Sequence, residues 1–186
     1  MLAFDQATTD LLERAYRGAD FRRRRRENFD ALRPEPGQHL LDIGCGNGLL
    51  TEELALATGP GGSVAGIDLS ADMLAPARDR LTELPWVTLH EAGADAIPLA
   101  DGSVDGALSV QVFEYIPDIA PALAEAARVI RRGGRLVIGD MMFSTLHWAS
   151  DDPGRMGRFL DAYSNHAAHM DLPTLLPRAM AEAGFV

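Results

Sequence analysis

Three acids and three glycines hold the first chemical signal in this chain. Leu40-Leu41-Asp42-Ile43 is a short apolar run interrupted by one carboxylate, and Gly44, Gly46 and Gly48 follow at alternating positions. Such a run suits a strand buried on both faces of a parallel sheet. Leu50 and Leu54 then recur at helical spacing, and Gly59 marks a C-terminal cap. Strand, glycine turn and helix together let backbone approach a ligand closely, and the helix N-terminus favours a negative group. A second acid, Asp68, ends the apolar stretch Ser63-Val64-Ala65-Gly66-Ile67, 24 residues after Gly44. A carboxylate about 20 residues beyond such a turn accepts hydrogen bonds from a ribose diol. Asp68 could equally cap the helix that follows. A third acid, Asp95, can accept from the exocyclic amine of an adenine, beside a backbone donor at Ala96.

The glycine spacing decides between nucleotides. A nicotinamide or flavin fingerprint, G-x-G-x-x-G, needs its third glycine at position 49, which is Leu49. An acid inside the strand, Asp42, is also foreign to that fingerprint.

The elements that must position these residues alternate. Trp86-Val87-Thr88-Leu89-His90-Glu91, Val104-Asp105-Gly106-Ala107-Leu108-Ser109-Val110 and Arg135-Leu136-Val137-Ile138-Gly139-Asp140 read as further strands. Asp118 caps a helix with Pro121 in its first turn, ending at Arg132-Gly133-Gly134. The helix after Asp68 contains Leu69, Met73 and Pro76. Pro76 is tolerated if Asp72 caps, so a start at Asp72 or a local kink is expected. Alternating strands and helices imply an α/β, doubly wound, mainly parallel sheet with helices on both faces and the ligand at the C-terminal strand ends.

Before the core, Leu11, Leu12, Ala15, Tyr16 and Ala19 fall at helical spacing, and a second helix spans 21–32 with Phe29 and Leu32 inward. It carries Arg22 to Arg26. Such a run can form an anion or nucleic-acid patch, but five consecutive residues point all around a helix, so with the overall acidity it reads rather as a solvated face with one or two arginines turned inward to acids.

The four blocks LLDIGCGNG, GIDLSADML, GADAIPLADGSVDGALSVQVFEYIPD and RVIRRGGRLVIGD resemble those of the small-molecule branch of class I S-adenosylmethionine-dependent methyltransferases, the methyltransferase type 11 or quinone-methyltransferase-like group. The resemblance covers roughly residues 38–140 and implies a Rossmann-like fold binding S-adenosylmethionine and releasing S-adenosylhomocysteine. It implies that Asp42 and the turn Gly44, Cys45, Gly46 and Gly48 hold the methionine part and Asp68 the ribose. Leu69 and Met73 would flank the adenine, Asp95 and Ala96 would bind its edge, and Val110 and Gln111 would close over the sulfonium. One departure is Tyr115, where the family often has histidine after the glutamate. The other is the stop at Val186, where the family usually continues into an antiparallel strand pair. The expectation is a truncated chain, or a fifth-strand edge covered by a partner such as a second copy.

A single domain over 1–186 is expected: an N-terminal helical cap at 1–36, a cofactor-binding core at 37–140, an inserted lid at 141–171, and a last helix at 172–186. Asp152-Pro153 opens the lid helix, with Met156, Phe159, Leu160 and Tyr163 on one face. Tyr16, His147 and Trp148 are expected to face the substrate. His147 is the candidate base, with His166 and His169 behind it. Methyl transfer can also proceed by alignment and water exclusion alone.

Composition excludes other classes. The net charge of −10, with arginine supplying all 17 basic residues, argues against nucleic acid as partner. The single cysteine, Cys45, rules out an intrachain disulfide, and no Cys/His cluster points to metal. No run reaches membrane-spanning length and no signal peptide is seen, so a cytoplasmic location is expected. The stretch Val112-Phe113-Glu114-Tyr115 lacks the Asp/Asn-Pro-Pro-aromatic motif of amino-methylating DNA enzymes. A lone Cys45 in the turn fits neither cytosine-C5 nor arsenite methylation. The reading is O-, N- or C-methylation of a small metabolite. Its alternatives are a non-catalytic protein of the same fold that binds this cofactor and, disfavoured by Leu49, a nicotinamide-dependent oxidoreductase.

Overall fold

The computed structural model describes residues 6–146, 149–152, 154–164 and 167–186, with residues 6–10 described by backbone alone. Five strands, β1 (His39–Ile43), β2 (Ser63–Asp68), β3 (Val87–Glu91), β4 (Val104–Val110) and β5 (Ile130–Gly139), form one parallel sheet in the order β3-β2-β1-β4-β5. The strand order therefore reverses between β1 and β4, which opens a crevice at their C-terminal ends. Seven helices are described: α1 (Gln6–Ala15), α2 (Ala19–Leu32), α3 (Leu49–Thr58), α4 (Ala71–Leu81), α5 (Ile119–Val129), α6 (Arg155–Tyr163) and α7 (Leu176–Glu182). β3 and β5 are the sheet edges.

Alternating side chains of the strands feed two cores. Leu40, Val64 and Leu108 pack with Leu32 of α2 and with Leu50, Leu54 and Ala55 of α3. On the opposite face Leu41, Ile43, Ala65, Ile67 and Ala107 pack with Ala122, Leu123, Ala126 and Val129 of α5 and Leu176 of α7. Leu41, Leu54 and Leu123 are wholly buried, and truncating any one to alanine would cost roughly 2–5 kcal/mol. These paired cores hold the sheet rigid beneath the loops at its C-terminal edge.

Several boundaries differ from the sequence reading. Ser70, not Asp72, caps α4: its Oγ accepts from the Met73 amide at 3.2 Å. Pro76 is therefore interior, and the Asp72 carbonyl lacks its helical donor. α5 ends at Val129 rather than near Arg132, because Ile130 pairs with Val104 and starts β5 early. A register irregularity between Val104 and Gly106 absorbs the extra residues. Ala19 opens α2 instead of closing the first helix, and the lid helix begins at Arg155. Asp152 still organises that start, its Oδ1 accepting from the Gly154 amide at 2.9 Å. The last helix occupies Leu176–Glu182, after a 3-10 turn at Leu172–Thr174.

Candidate active site

A cavity of about 740 Å³ opens at the C-terminal ends of β1, β2 and β4, within the size range of small-molecule and cofactor sites. The turn after β1 builds its floor. Gly44, Gly46 and Gly48 all have positive φ, at 72°, 53° and 79°. A Cβ on Gly44 would lie 2.2 Å from Val112 Cγ2, so only glycine lets the turns after β1 and β4 meet. The turn's amides are bonded internally: Gly44 and Cys45 donate to the Ile67 carbonyl at 2.8 and 2.9 Å, and Gly48 to that of Cys45 at 2.9 Å. Gly46 donates to Asp68 Oδ2 at 2.9 Å. These four donors are taken, which leaves the first amides of α3, beginning at Leu49, as the donors for the negative group expected at the helix N-terminus.

Asp68 ends β2 at the cavity wall, its Oδ1 also accepting from the Ser70 amide at 2.8 Å. An ionised carboxylate offers about four acceptor positions, so capacity remains for a ligand beside the amides of Ser70, Gly46 and Leu69. Burial pushes the Asp68 carboxyl above its usual range, while the Ser70 and Gly46 amides oppose the shift. Deeper in, Asp42 is 1% exposed and accepts from Thr51 Oγ1 at 2.7 Å. Burial is the main cause of its rise to about 7; Thr51 opposes it, and the charges of Asp68 and Glu53 add to it.

The structure brings Asp42, Gly44, Cys45, Gly46, Asp68, Leu69, Met73, Asp95, Val110 and Gln111 to this one cavity, with Tyr16 above them. Gly48 and Ala96 are not among its lining residues. Gly48 instead admits α4, with Ala77 and Leu81 about 3 Å from where a Cβ would stand. The Ala96 amide turns to the Gly93 carbonyl at 3.2 Å, so the donor expected for a ring is occupied. Cys45 is buried, and burial pushes its thiol well up, away from nucleophilic use. His147, Trp148 and His166 lie outside the described residues. His169 holds the fold together, its amide donating to the Glu114 carbonyl at 3.0 Å and Nε2 to the Ile116 carbonyl at 3.0 Å.

Other lining residues escaped the sequence reading. Leu12, Phe21, Arg24, Arg25, Asn47, Tyr115 and Tyr163 complete the walls. Phe21, Arg24, Arg25 and Asn28 share helical spacing, the signal that could have picked the inward arginines from the run. Arg25 is the inward arginine expected to meet an acid: it pairs with Glu53 at 3.2 Å and donates to the Tyr16 carbonyl at 2.7 Å. Arg80 of α4 reaches Glu13 at 2.6 Å and the Asn47 carbonyl, fastening α1 to the glycine turn. Behind the cavity Glu114 is fully buried, with Oε2 accepting from the Met141 amide at 2.9 Å. Asp140 faces the amides of Val112, Phe113 and Glu114 without well-formed hydrogen bonds, and burial followed by the charge of Glu114 lifts it to about 7. Gln111 adopts φ 58° at the end of β4, the kind of backbone strain that clusters at functional sites.

A doubly wound sheet reversing between β1 and β4, a glycine turn whose own amides are bonded to β2 and to itself, and a carboxylate at the end of β2 define the class I S-adenosylmethionine-dependent methyltransferase architecture. Residues 41–138 match the methyltransferase domain family, and the chain belongs to it. It is 34% identical to an O-methyltransferase of Pyrenophora dematioidea, over 86% of this chain and 58% of that protein. It is 33% identical to a demethylmenaquinone methyltransferase of Desulfitobacterium hafniense, over 66% of this chain and 49% of that protein. The chain thus spans about half the length of these curated relatives. Its fold matches a SAM-dependent methyltransferase from Aquifex aeolicus with TM-score 0.67 and 22% identity, covering 86% of this chain and 88% of that one.

Proposed function

We propose that the chain binds S-adenosylmethionine in the 740 Å³ cavity and directs its methyl group to an O, N or C atom of a small acceptor. The observation that supports this most is Asp68, a carboxylate on the cavity wall whose Oδ2 accepts from Gly46 and Oδ1 from Ser70, with acceptor capacity on the pair of oxygens still left over. A ribose diol uses such a pair of oxygens. The fit extends to the rest of the lining: Met73 and Leu69 provide apolar contact for a base, and Asp95 provides an acceptor at the same end.

Bound there, the cofactor would supply an electrophilic methyl on a cationic sulfur. The chain's own part is orientation and electrostatics. Asp42 and Asp68 make this region acidic, which suits a cation held in a partly dehydrated site. Tyr16, from the α1–α2 connection, and Tyr163, from α6, narrow the mouth and exclude water. β5 is a sheet edge among the described residues, and pairing of that edge with a second copy is read by sedimentation.

Calorimetry with S-adenosylmethionine and with NAD tests the reading. Tight binding of the first and none of the second is expected. Release of S-adenosylhomocysteine on incubation with metabolite pools separates an enzyme from a non-catalytic binder of the same cofactor.

A further inference from the structure

Two members of the arginine run, Arg22 and Arg24, make no ion pair among the described residues, and of these Arg22 is exposed while Arg24 is half-buried. Arg23 lies near Asp20 and Glu27, Arg25 pairs with Glu53, and Arg26 pairs with Asp30 at 3.0 Å. Arg24 holds its guanidinium carbon 5.1 Å from the Phe21 ring centroid. It lines the cavity. Its charge is felt by the buried Glu114 carboxylate, but no carboxylate closes on it within ion-pair distance, so its fork of donors stays open to a planar anion.

Its position indicates which anion. α2 packs across β4 and β5. Leu32 lies against Gly106 near the start of β4, and Asn28 against Gly139 at the end of β5. Arg24 is one turn beyond Asn28, so it projects past the C-terminal ends of β4 and β5. Asp68 and Asp95, which the proposed function gives to the nucleoside, follow β2 and β3 on the other side of the crevice. Around Arg24 the cavity is aromatic, with Tyr16 and Phe21 in ring contact at 5.0 Å and Tyr115 and Tyr163 also on the lining.

The geometry points to Arg24 as the specificity-determining residue for the methyl acceptor: it binds a carboxylate or similarly ionised oxygen group on a planar aromatic acceptor stacked among these rings. This rests on the cofactor reading above, since the protein must first be loaded to leave only the acceptor space open.

The probes are benzoate, 4-hydroxybenzoate and salicylate, each paired with its neutral amide and titrated by calorimetry into protein saturated with S-adenosylhomocysteine. At least one acid is expected to bind tenfold or more tightly than its amide. Arg24→Gln abolishes that preference and Arg24→Lys keeps part of it, while both retain S-adenosylhomocysteine affinity within about threefold. Equal binding of every acid and amide, or no binding by any acid, overturns the proposal. So does a tenfold loss of S-adenosylhomocysteine affinity in Arg24→Gln with unchanged binding of 5′-methylthioadenosine, which lacks the amino-acid carboxylate. In that case the guanidinium serves the cofactor instead. Failure of wild-type protein to bind S-adenosylhomocysteine at all sinks the cofactor reading itself and this proposal with it.

Discussion

Replacing Asp42 with asparagine should make the ligand-free protein more stable at pH 8 than wild type, by an amount that shrinks on acidification. The carboxyl is 1% exposed and its one hydrogen bond comes from Thr51 Oγ1 at 2.7 Å. Burial lifts it from 3.8 to about 7. Between those values the folded chain holds a proton that the unfolded chain has released. The unfolded state therefore binds fewer protons, and stability falls as pH rises from about 4 to about 7, then levels off. At about 1.4 kcal/mol per pH unit, the full cost of ionised Asp42 is roughly 4 kcal/mol. An asparagine oxygen still accepts from Thr51 without carrying charge. Urea denaturation at pH 5 and pH 8 reads the difference. The advantage of Asp42→Asn should widen by about 3 kcal/mol between those conditions. Glu114 and Asp140 are raised in both proteins, so their pH dependence cancels in the comparison, while Asp68, coupled to Asp42 by charge, is relieved in the variant and adds to its advantage at pH 8. Parallel stability curves, or a variant that loses ground at pH 8, would refute the argument.

Three other perturbations test separate parts of the site. Asp68→Ala should weaken S-adenosylmethionine binding by about 100-fold, as two charge-assisted hydrogen bonds are together worth about 3 kcal/mol or more; a calorimetric affinity within threefold of wild type would contradict the ribose assignment. Gly44→Ala should destabilise the fold by more than about 2 kcal/mol, through positive φ and a contact 2.2 Å from Val112 Cγ2. Adding Val112→Ala should recover part of that loss in thermal unfolding. Arg80→Ala should speed amide exchange in α1 with little change in α5, because Arg80 joins Glu13 to the glycine turn.

The sheet was legible because its strands are short apolar runs ended by acids or glycines, and Gly59 and Asp118 behave as the caps their types imply. Local preference misled where a neighbour outside the window decided the outcome. Ile130 extends because Val104 lies beside it, and Ser70 outcompetes Asp72 as a cap although that leaves Pro76 inside a helix. The cavity's floor follows the motif, but its upper wall does not. Arg24, Tyr115 and Tyr163 come from three separated segments, and only the packing of α2 and α6 over the strand ends brings them to one place. Spacing along the chain cannot report such meetings.

The internally bonded turn after β1 has one more consequence. With the amides of Gly44, Cys45, Gly46 and Gly48 already satisfied, a pyrophosphate arriving at the glycines would find those four donors taken, and Asp68, joined above about pH 7 by Asp42, opposing its charge. On the cofactor reading proposed above, part of the discrimination against adenylates and dinucleotides is set before any ligand arrives, by the scarcity of open glycine-turn donors as much as by attraction to a sulfonium nucleoside.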